Sequence, residues 1–501
     1  MRSSSKPAFG WRRAVRTAGL LAALLSLLIS AWEISAPWRY LVEPPPRELL
    51  ALDGVHLWDA EASQFSAPLQ LRIRNGRVEA ILPAQAAAPA DYRLLDLRDH
   101  WVTPGLIDMH VHIHDRRDLM LNLAAGVTTV RNMRGAPKHL RWKKQLHASD
   151  WLGSRLISSS PVLDGPEYAH LLQKVVTRPE QGRELVRRYH ARGYDLIKAY
   201  GYLDADVFAA IVNEANRLGM PVAKHGPAPV EGSDINSLRG LQSLEHMEDV
   251  YQGYLNYKLD EEQLSVVAEQ LRELGVPVVA TLASYEHLTR LSVEGSSYHD
   301  SLRVDRIDPL MRLIEQAFSV DRWLTASEQQ AAHNLAVNAF LKKATGVFRD
   351  AGVPLALGSD AGTNHQIAGQ STWEEFMLLQ EAGLSFGETL EAATETAAEA
   401  LGLGELGCLR PGCIADLVVY ARDPSRLSVP QTPSMPSMPS AQASGPGSTT
   451  VLPDPAAVVS GGRWLNADLL ARLREQASNR SDYFWSTLEF AESIMRRKLD
   501  P

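Results

Sequence analysis

His110 and His112 stand one residue apart in an apolar run, 106–112. In a strand alternate side chains face the same way, so such a pair can grip one metal ion together. A His-x-His pair by itself is common without any ion, and it gains weight only from its surroundings. Four further residues supply them: Lys198, His225, His246 and Asp360 each lie at or near the C-terminal end of a short apolar run. Taken singly they read blandly. Lys198 could be a salt-bridge partner, His225 or His246 a hydrogen-bonded core histidine, and Asp360 a helix cap before the turn that follows. Six such polar groups at successive strand ends are much harder to accept as coincidence.

Some scaffold must bring the six together. From 106 to about 403 short apolar stretches alternate with longer helical segments, the signature of βα units and a parallel sheet. Eight candidate strands fall at 106–112, 127–133, 155–162, 195–200, 221–225, 243–246, 277–283 and 354–360. Eight is the number that closes a TIM-type (β/α)8 barrel, whose active sites lie where the strands end and the βα loops begin. Helical signals sit where crossovers need them: 205–218 is a good former ended by Gly219, and Ser385 with Glu388 makes a capping box.

The flanks differ in rhythm. In 47–104 short alternating runs such as Leu71-Arg72-Ile73-Arg74 lead into Asn75-Gly76, a hairpin signal. A matching piece lies in 404–465, where Gly412 leads into 415–420 and a later run reaches Val458 and Val459. The expected architecture is therefore α/β: a barrel over 105–403 with a small β-sandwich module built from both chain ends. The Pro/Ser-rich stretch 429–455 cannot bury a core and reads as a flexible insertion. Two surface helices are expected in 466–501, over 467–477 and 485–498.

With 45% hydrophobic and 22% charged residues among 501, the chain has the composition of a packed globular protein. Its net charge of -8 offers no basic field for nucleic acid, which is set aside as a partner. Cys408 and Cys413, the two cysteines, can build neither a disulfide framework nor a Cys-rich zinc module. They read as two small apolar residues in a turn-rich segment rather than as a redox pair. In 1–40, five basic residues from Arg2 to Arg16 precede an apolar run, 18–32. That layout fits a cleaved signal peptide or a retained membrane anchor, and either places the body of the protein outside the cytoplasm, in the periplasm of a two-membrane cell.

The segments Pro-Gly-Leu-Ile-Asp-Met-His-Val-His, Asp-Leu-Ile-Lys-Ala-Tyr, Val-Ala-Lys-His, Leu-Glu-His and Leu-Gly-Ser-Asp-Ala-Gly, in this order, resemble the amidohydrolase superfamily. Gly126 to Arg131 and the run from Arg410 to Leu417 are similar to its imidazolonepropionase-like and prolidase-like branch, with Cys413 where that branch commonly has Lys. The resemblance implies a centre of two divalent ions, most often zinc. His110, His112 and Asp360 would hold one ion, and His225 and His246 the other. Lys198, carboxylated on its amine, would bridge them, because a carbamate supplies two oxygen ligands where an ammonium would be repelled. A hydroxide would form the second bridge, and Asp360 would shuttle its proton to the departing nitrogen.

Substrate contacts are sought at the same mouth. Tyr200, two residues after Lys198, could donate to a tetrahedral oxyanion or bind a carboxylate. Arg134 could clamp a carboxylate in two-pronged fashion, and His139 and Tyr168 lie in adjoining loops. Loop packing or solvation accounts for each of these equally well. The expected activity is hydrolysis of an amide or peptide-like C–N bond in a small molecule: a dipeptide, an N-acyl amino acid or a cyclic amide. Lactone, ester or organophosphate hydrolysis at the same centre is the rival chemistry, and a non-catalytic membrane-tethered binding protein is the rival class. Oligomeric state is left open.

Overall fold

The computed structural model describes residues 40–167, 169, 173–226, 234–426, 454–478 and 483–499, with Leu24 and Leu27. Apart from those two leucines and residue 40, the N-terminal segment lies outside the described residues, as do Tyr168 and nearly all of the Pro/Ser-rich insertion. Among the described residues no helix is long and apolar enough to cross a membrane.

All eight expected strands form, though several are shorter than the apolar runs suggest. Leu106–Val111, Val127–Asn132 and Arg155–Ser158 make one parallel sheet of three. A second parallel sheet of seven runs in the order Lys174–Val175, Leu163–Asp164, Ile197–Ala199, Val222–His225, Ser243–Glu245, Val278–Val279 and Leu355–Ala356. Single parallel bridges join the two sheets at both ends, Ser159 with Leu196 and Val111 with Ala361. Hydrogen bonds reinforce each seam: Ser160 N donates to Leu196 O (2.7 Å), Met109 N to Leu357 O (2.9 Å) and Asp360 N to His110 O (2.7 Å). The strand Leu106–Val111 is buried along its whole length, as a parallel strand covered on both faces must be.

Two details depart from the expected pattern. Only Val278 and Val279 of the run 277–283 are strand, because Thr281 turns to φ +51 and the helix Leu282–Glu294 begins directly after it. The run 354–360 pairs only at Leu355–Ala356. There Gly358 brings its backbone so close that an added Cβ would sit 2.4 Å from Val279 and 2.8 Å from the Cβ of His110, so only glycine fits.

A nine-stranded sheet draws on both flanks of the chain. Its path runs Arg463–Asn466, Ala457–Ser460, Leu417–Tyr420, Trp101–Pro104, Leu50–Asp59, Leu69–Arg74 and Arg77–Pro83, while Gln64–Phe65 and Arg93–Asp96 also pair with Leu50–Asp59. Asn75 and Gly76, at φ +53 and +77, form the tight hairpin turn that the dipeptide announces. Leu50, Leu71, Val102, Leu417 and Val459 share one buried cluster with Cys408 and Cys413. In that cluster the two cysteines form a disulfide, with Cα atoms 6.0 Å apart. The expectation of two unlinked small apolar residues is corrected: Gly412 at φ +95 helps turn the chain back so that both side chains point into the same small core.

The helices behave largely as their signals indicate. Ala205–Arg217 ends before Gly219 at φ +66, and Ser385 and Glu388 form the reciprocal capping box. Ala467–Ala477 forms at the expected bounds, but Leu470, Leu473 and Ala477 are fully buried in the main core, so the helix is fastened to the body by one apolar stripe. The last helix spans Tyr483–Leu499.

Candidate functional site

The six residues singled out by spacing come together. His110 on the first parallel strand and His112 just past its end meet Asp360, whose Oδ1 lies 3.5 Å from His110 Nε2 and 3.0 Å from His112 Nε2. The ring of His246 lies 4.4 Å from that of His110 and 4.5 Å from that of His225. Two groups result that could each hold a cation: His110, His112 and Asp360 in one, His225, His246 and Asp249 in the other. Lys198 is fully buried among them, and its Nζ has no hydrogen-bond partner.

The backbone is bent to aim these groups. Asp360 and His246 adopt φ +57 and +67, and Thr281, which supports His246, adopts φ +51. Residues with a Cβ rarely take this left-handed conformation, and where they do the surrounding structure must hold them there. Asp108, buried behind the site, is part of that hold. Its carboxylate accepts from His110 N (3.1 Å), Ser359 N (3.0 Å), Ser359 Oγ (2.6 Å) and Thr372 Oγ1 (2.7 Å), tying the first strand to the loop that carries Asp360.

Several supporting groups were not picked out from the sequence. Glu245 accepts from His110 Nδ1 at 2.6 Å and from the buried guanidinium of Arg131 at 2.7 Å. Asp249 Oδ2 accepts from His225 Nδ1 at 2.5 Å and from Gly226 N at 2.6 Å. His246 Nδ1 meets Thr281 Oγ1 at 2.7 Å. A carboxylate has no proton to give, so Glu245 and Asp249 fix the Nδ1–H tautomer of their histidines and leave the Nε2 lone pairs for a cation. The only sequence trace of Glu245 and Asp249 was their position beside His246, which by itself assigns neither a role.

Electrostatics agree with neutral histidines. Burial lowers His112 and His246 to about 4 and pushes His110 well below its ordinary value. Burial lowers Lys198 to about 8, against the opposing charge of Glu245. Burial alone would raise Asp360, but the close-set imidazoles, His112 first and then His110 and His246, hold it well below the usual carboxylate range. The donor set of neutral imidazoles and a carboxylate suits a divalent ion such as zinc. The unpartnered buried atoms Lys198 Nζ, His112 Nδ1 and Asp360 Oδ1 mark where polar partners are wanted.

The expected substrate contacts are distributed around this centre. The Tyr200 ring lies 4.4 Å from that of His225, and burial pushes its hydroxyl up to about 12, keeping it protonated. Arg134 is half-buried beside a cavity of about 960 Å³, counted out to open solvent, that His112 also lines. His139 borders the same cavity, but both its ring nitrogens are engaged, with Ile113 O at 2.9 Å and with Ala136 N at 3.0 Å. It braces the loop after the second strand.

Residues 101–445 match the Amidohydrolase family. The imidazolonepropionase of Paracoccus denitrificans is 26% identical over 397 residues, covering 72% of this chain and 89% of that protein. That of Hahella chejuensis is 24% identical over 395 residues, covering 72% and 88%. Among solved structures, a bottromycin amidohydrolase superposes with a TM-score of 0.67 at 26% identity over 93% of both chains. A Xaa-Pro dipeptidase with bound methionine shares the fold, with a TM-score of 0.61 at 19% identity over 84% of this chain and all of the other. The family match and these relatives define a hydrolase acting on carbon–nitrogen bonds. The chain belongs to the amidohydrolase family.

Proposed function

We propose that this chain is an exported amidohydrolase that uses two divalent ions, with zinc the best fit, to cleave an amide bond in a dipeptide, an N-acyl amino acid or a cyclic amide. The scaffold in this reading is a closed (β/α)8 barrel over 105–403, supported by the two seams between its parallel sheets. The small β module, a β-sandwich over 47–104 and 404–465, packs against it. The observation that carries the reading is Lys198: a fully buried amine without a hydrogen-bond acceptor, between two clusters of cation ligands. Burying an ammonium unpaired is costly, whereas a carbamate on the same nitrogen would supply an anionic bridge to both clusters. His110, His112 and Asp360 would hold one ion, His225 and His246 the other.

When bound, the ions would supply a hydroxide nucleophile near neutral pH and polarise the carbonyl under attack. The protein's own groups do the rest. Ser284 Oγ donates to Asp360 Oδ2 at 3.0 Å and Thr363 Oγ1 at 3.3 Å, which leaves Oδ1 on the side of the histidines. Asp360 takes the nucleophile's proton there and returns it to the departing nitrogen, without which an amine is a poor leaving group. Tyr200 donates its hydroxyl proton to the developing oxyanion, and Arg134 pairs with a substrate carboxylate.

Two observations support export. The basic and apolar N-terminal segment has the layout of a signal or anchor, and the Cys408–Cys413 disulfide belongs to an oxidising compartment.

The test is turnover on a panel of dipeptides, N-acyl amino acids and cyclic amides by protein of known metal content. Activity should vanish on chelation and return with Zn2+ at two ions per chain. A fully loaded protein that cleaves nothing on the panel overturns the reading.

A further inference from the structure

The cavity that His112, one of the metal-ligand candidates, lines is walled in part by a segment outside the family match. His112 and Arg134 line it on the catalytic side, and Phe490 and Ser493 of the helix Tyr483–Leu499 line it too. The matched family region ends at 445, so this helix lies beyond it.

The helix is fastened where it meets the body. Glu489 Oε1 accepts from Arg116 Nη1 at 3.2 Å, and its Oε2 lies 3.8 Å from Lys138 Nζ. Glu492 takes a two-pronged contact from Arg141, at 2.8 and 2.7 Å. Residues 489, 490, 492 and 493 recur at the three- and four-residue spacing of one helical face. That face thus presents both its anchors and Phe490 inward, while Leu488 and Met495 are exposed on the other side. Arg116 and Lys138 in turn sit against the Trp142 ring, at 5.0 and 5.1 Å, so the receiving surface is itself fixed.

A cavity lined by an aromatic ring as well as a guanidinium selects a particular kind of ligand. Arg134 suits an anionic end, and Phe490, with Leu310 and Met311 beside it, suits an apolar body. We propose that the C-terminal helix is the specificity wall of the substrate pocket, and that Phe490 sets how large an apolar group a carboxylate-bearing amide can carry beyond the scissile bond. The proposal rests on the amidohydrolase reading of the site and narrows its substrate class to acylated amino acids or dipeptides with an apolar side chain.

The experiment compares wild type, F490A, F490W and L488A on N-acetyl amino acids graded from alanine through leucine to phenylalanine and tryptophan. Turnover, binding by calorimetry and metal content are read together. F490A should raise kcat/KM for the bulky members relative to N-acetylalanine by about tenfold or more, the size of a hydrophobic-pocket effect. F490W should shift selectivity the other way, and L488A, on the outer face, should leave it unchanged, with metal content equal throughout. A uniform change across the graded series overturns the proposal, because a merely structural helix would act on all members alike. Binding whose size order moves with Phe490, in a loaded wild type that cleaves nothing, would overturn the amidohydrolase reading and keep the wall. Turnover and binding both indifferent to Phe490, or absent for the whole series, would overturn the wall.

Discussion

His110 donates from Nδ1 to Glu245 Oε2 across 2.6 Å, with both side chains buried, and Glu245 is the residue before His246. One carboxylate therefore orients a ligand candidate of the first cluster while its chain neighbour serves the second. Its other oxygen accepts from Arg131, which also donates to Met109 O at 2.6 Å on the strand that carries His110.

E245Q should lower metal affinity by about 10–100-fold, the usual cost of disturbing a carboxylate that orients a ligating histidine. It should also lower thermal stability, because Arg131 is left buried without its counter-ion. Competition with a chromophoric chelator measures the first and calorimetry the second. Unchanged affinity would show that Glu245 is only a structural partner of Arg131.

Asp360 has two predicted duties, ligand and proton carrier, so its replacement should be severe even where metal is retained. D360N, assayed in excess Zn2+, should lose at least about 10²–10⁴-fold in kcat. Metal analysis run beside the kinetics separates lost binding from lost proton transfer. A loss smaller than tenfold rejects the role of Asp360.

Glu315, which belongs to neither candidate ligand cluster, supplies a pH signature. Burial raises its carboxyl from the ordinary 4.5 to about 8, opposed by a hydrogen bond from His365 N. A raised carboxyl keeps its proton in the folded protein while the unfolded chain has lost it. The stability it contributes is fully present below about 4.5 and is lost as pH rises through about 8. E315Q has no proton to lose, so the melting temperature of wild type should fall relative to E315Q between pH 5 and pH 8.5. Parallel melting curves at the two pH values would sink the assignment.

The disulfide should leave no thiol reactive toward maleimide in denatured protein. For a separation of 5 residues the chain-entropy relation gives about 2 kcal/mol of stabilisation, to be read as a shift in urea midpoint on reduction. Two reactive thiols in unreduced protein would reject the link.

Much of this site could be read from the sequence because strand geometry is periodic. His110 and His112 share a face by alternation, and Lys198, His225, His246 and Asp360 each follow a short apolar run that can only be a buried strand or its end. Glu245 and Asp249 could not be assigned in that way. Their partners, His110 and His225, are fixed by pairing between distant strands, and a carboxylate beside a histidine has no periodic signature of its own. The short seventh and eighth strands were overdrawn for a related reason: hydrophobicity continues into the turns at Thr281 and Gly358, whereas pairing stops when the backbone bends toward the site. The contribution of Phe490 was equally hidden, since a helix that walls a pocket carries the same amphipathic pattern as one that covers a surface.

The strand Trp101–Pro104 pairs on one side with Leu50–Asp59 and on the other with Leu417–Tyr420. During synthesis its second edge waits, unpartnered, while the entire catalytic segment emerges between the two halves of the sheet. Such late, non-local pairing is slow, and an open strand edge is a template for aggregation. A product truncated before residue 417 would contain every candidate metal ligand and still be lost, to precipitation or proteolysis, before its chemistry could matter.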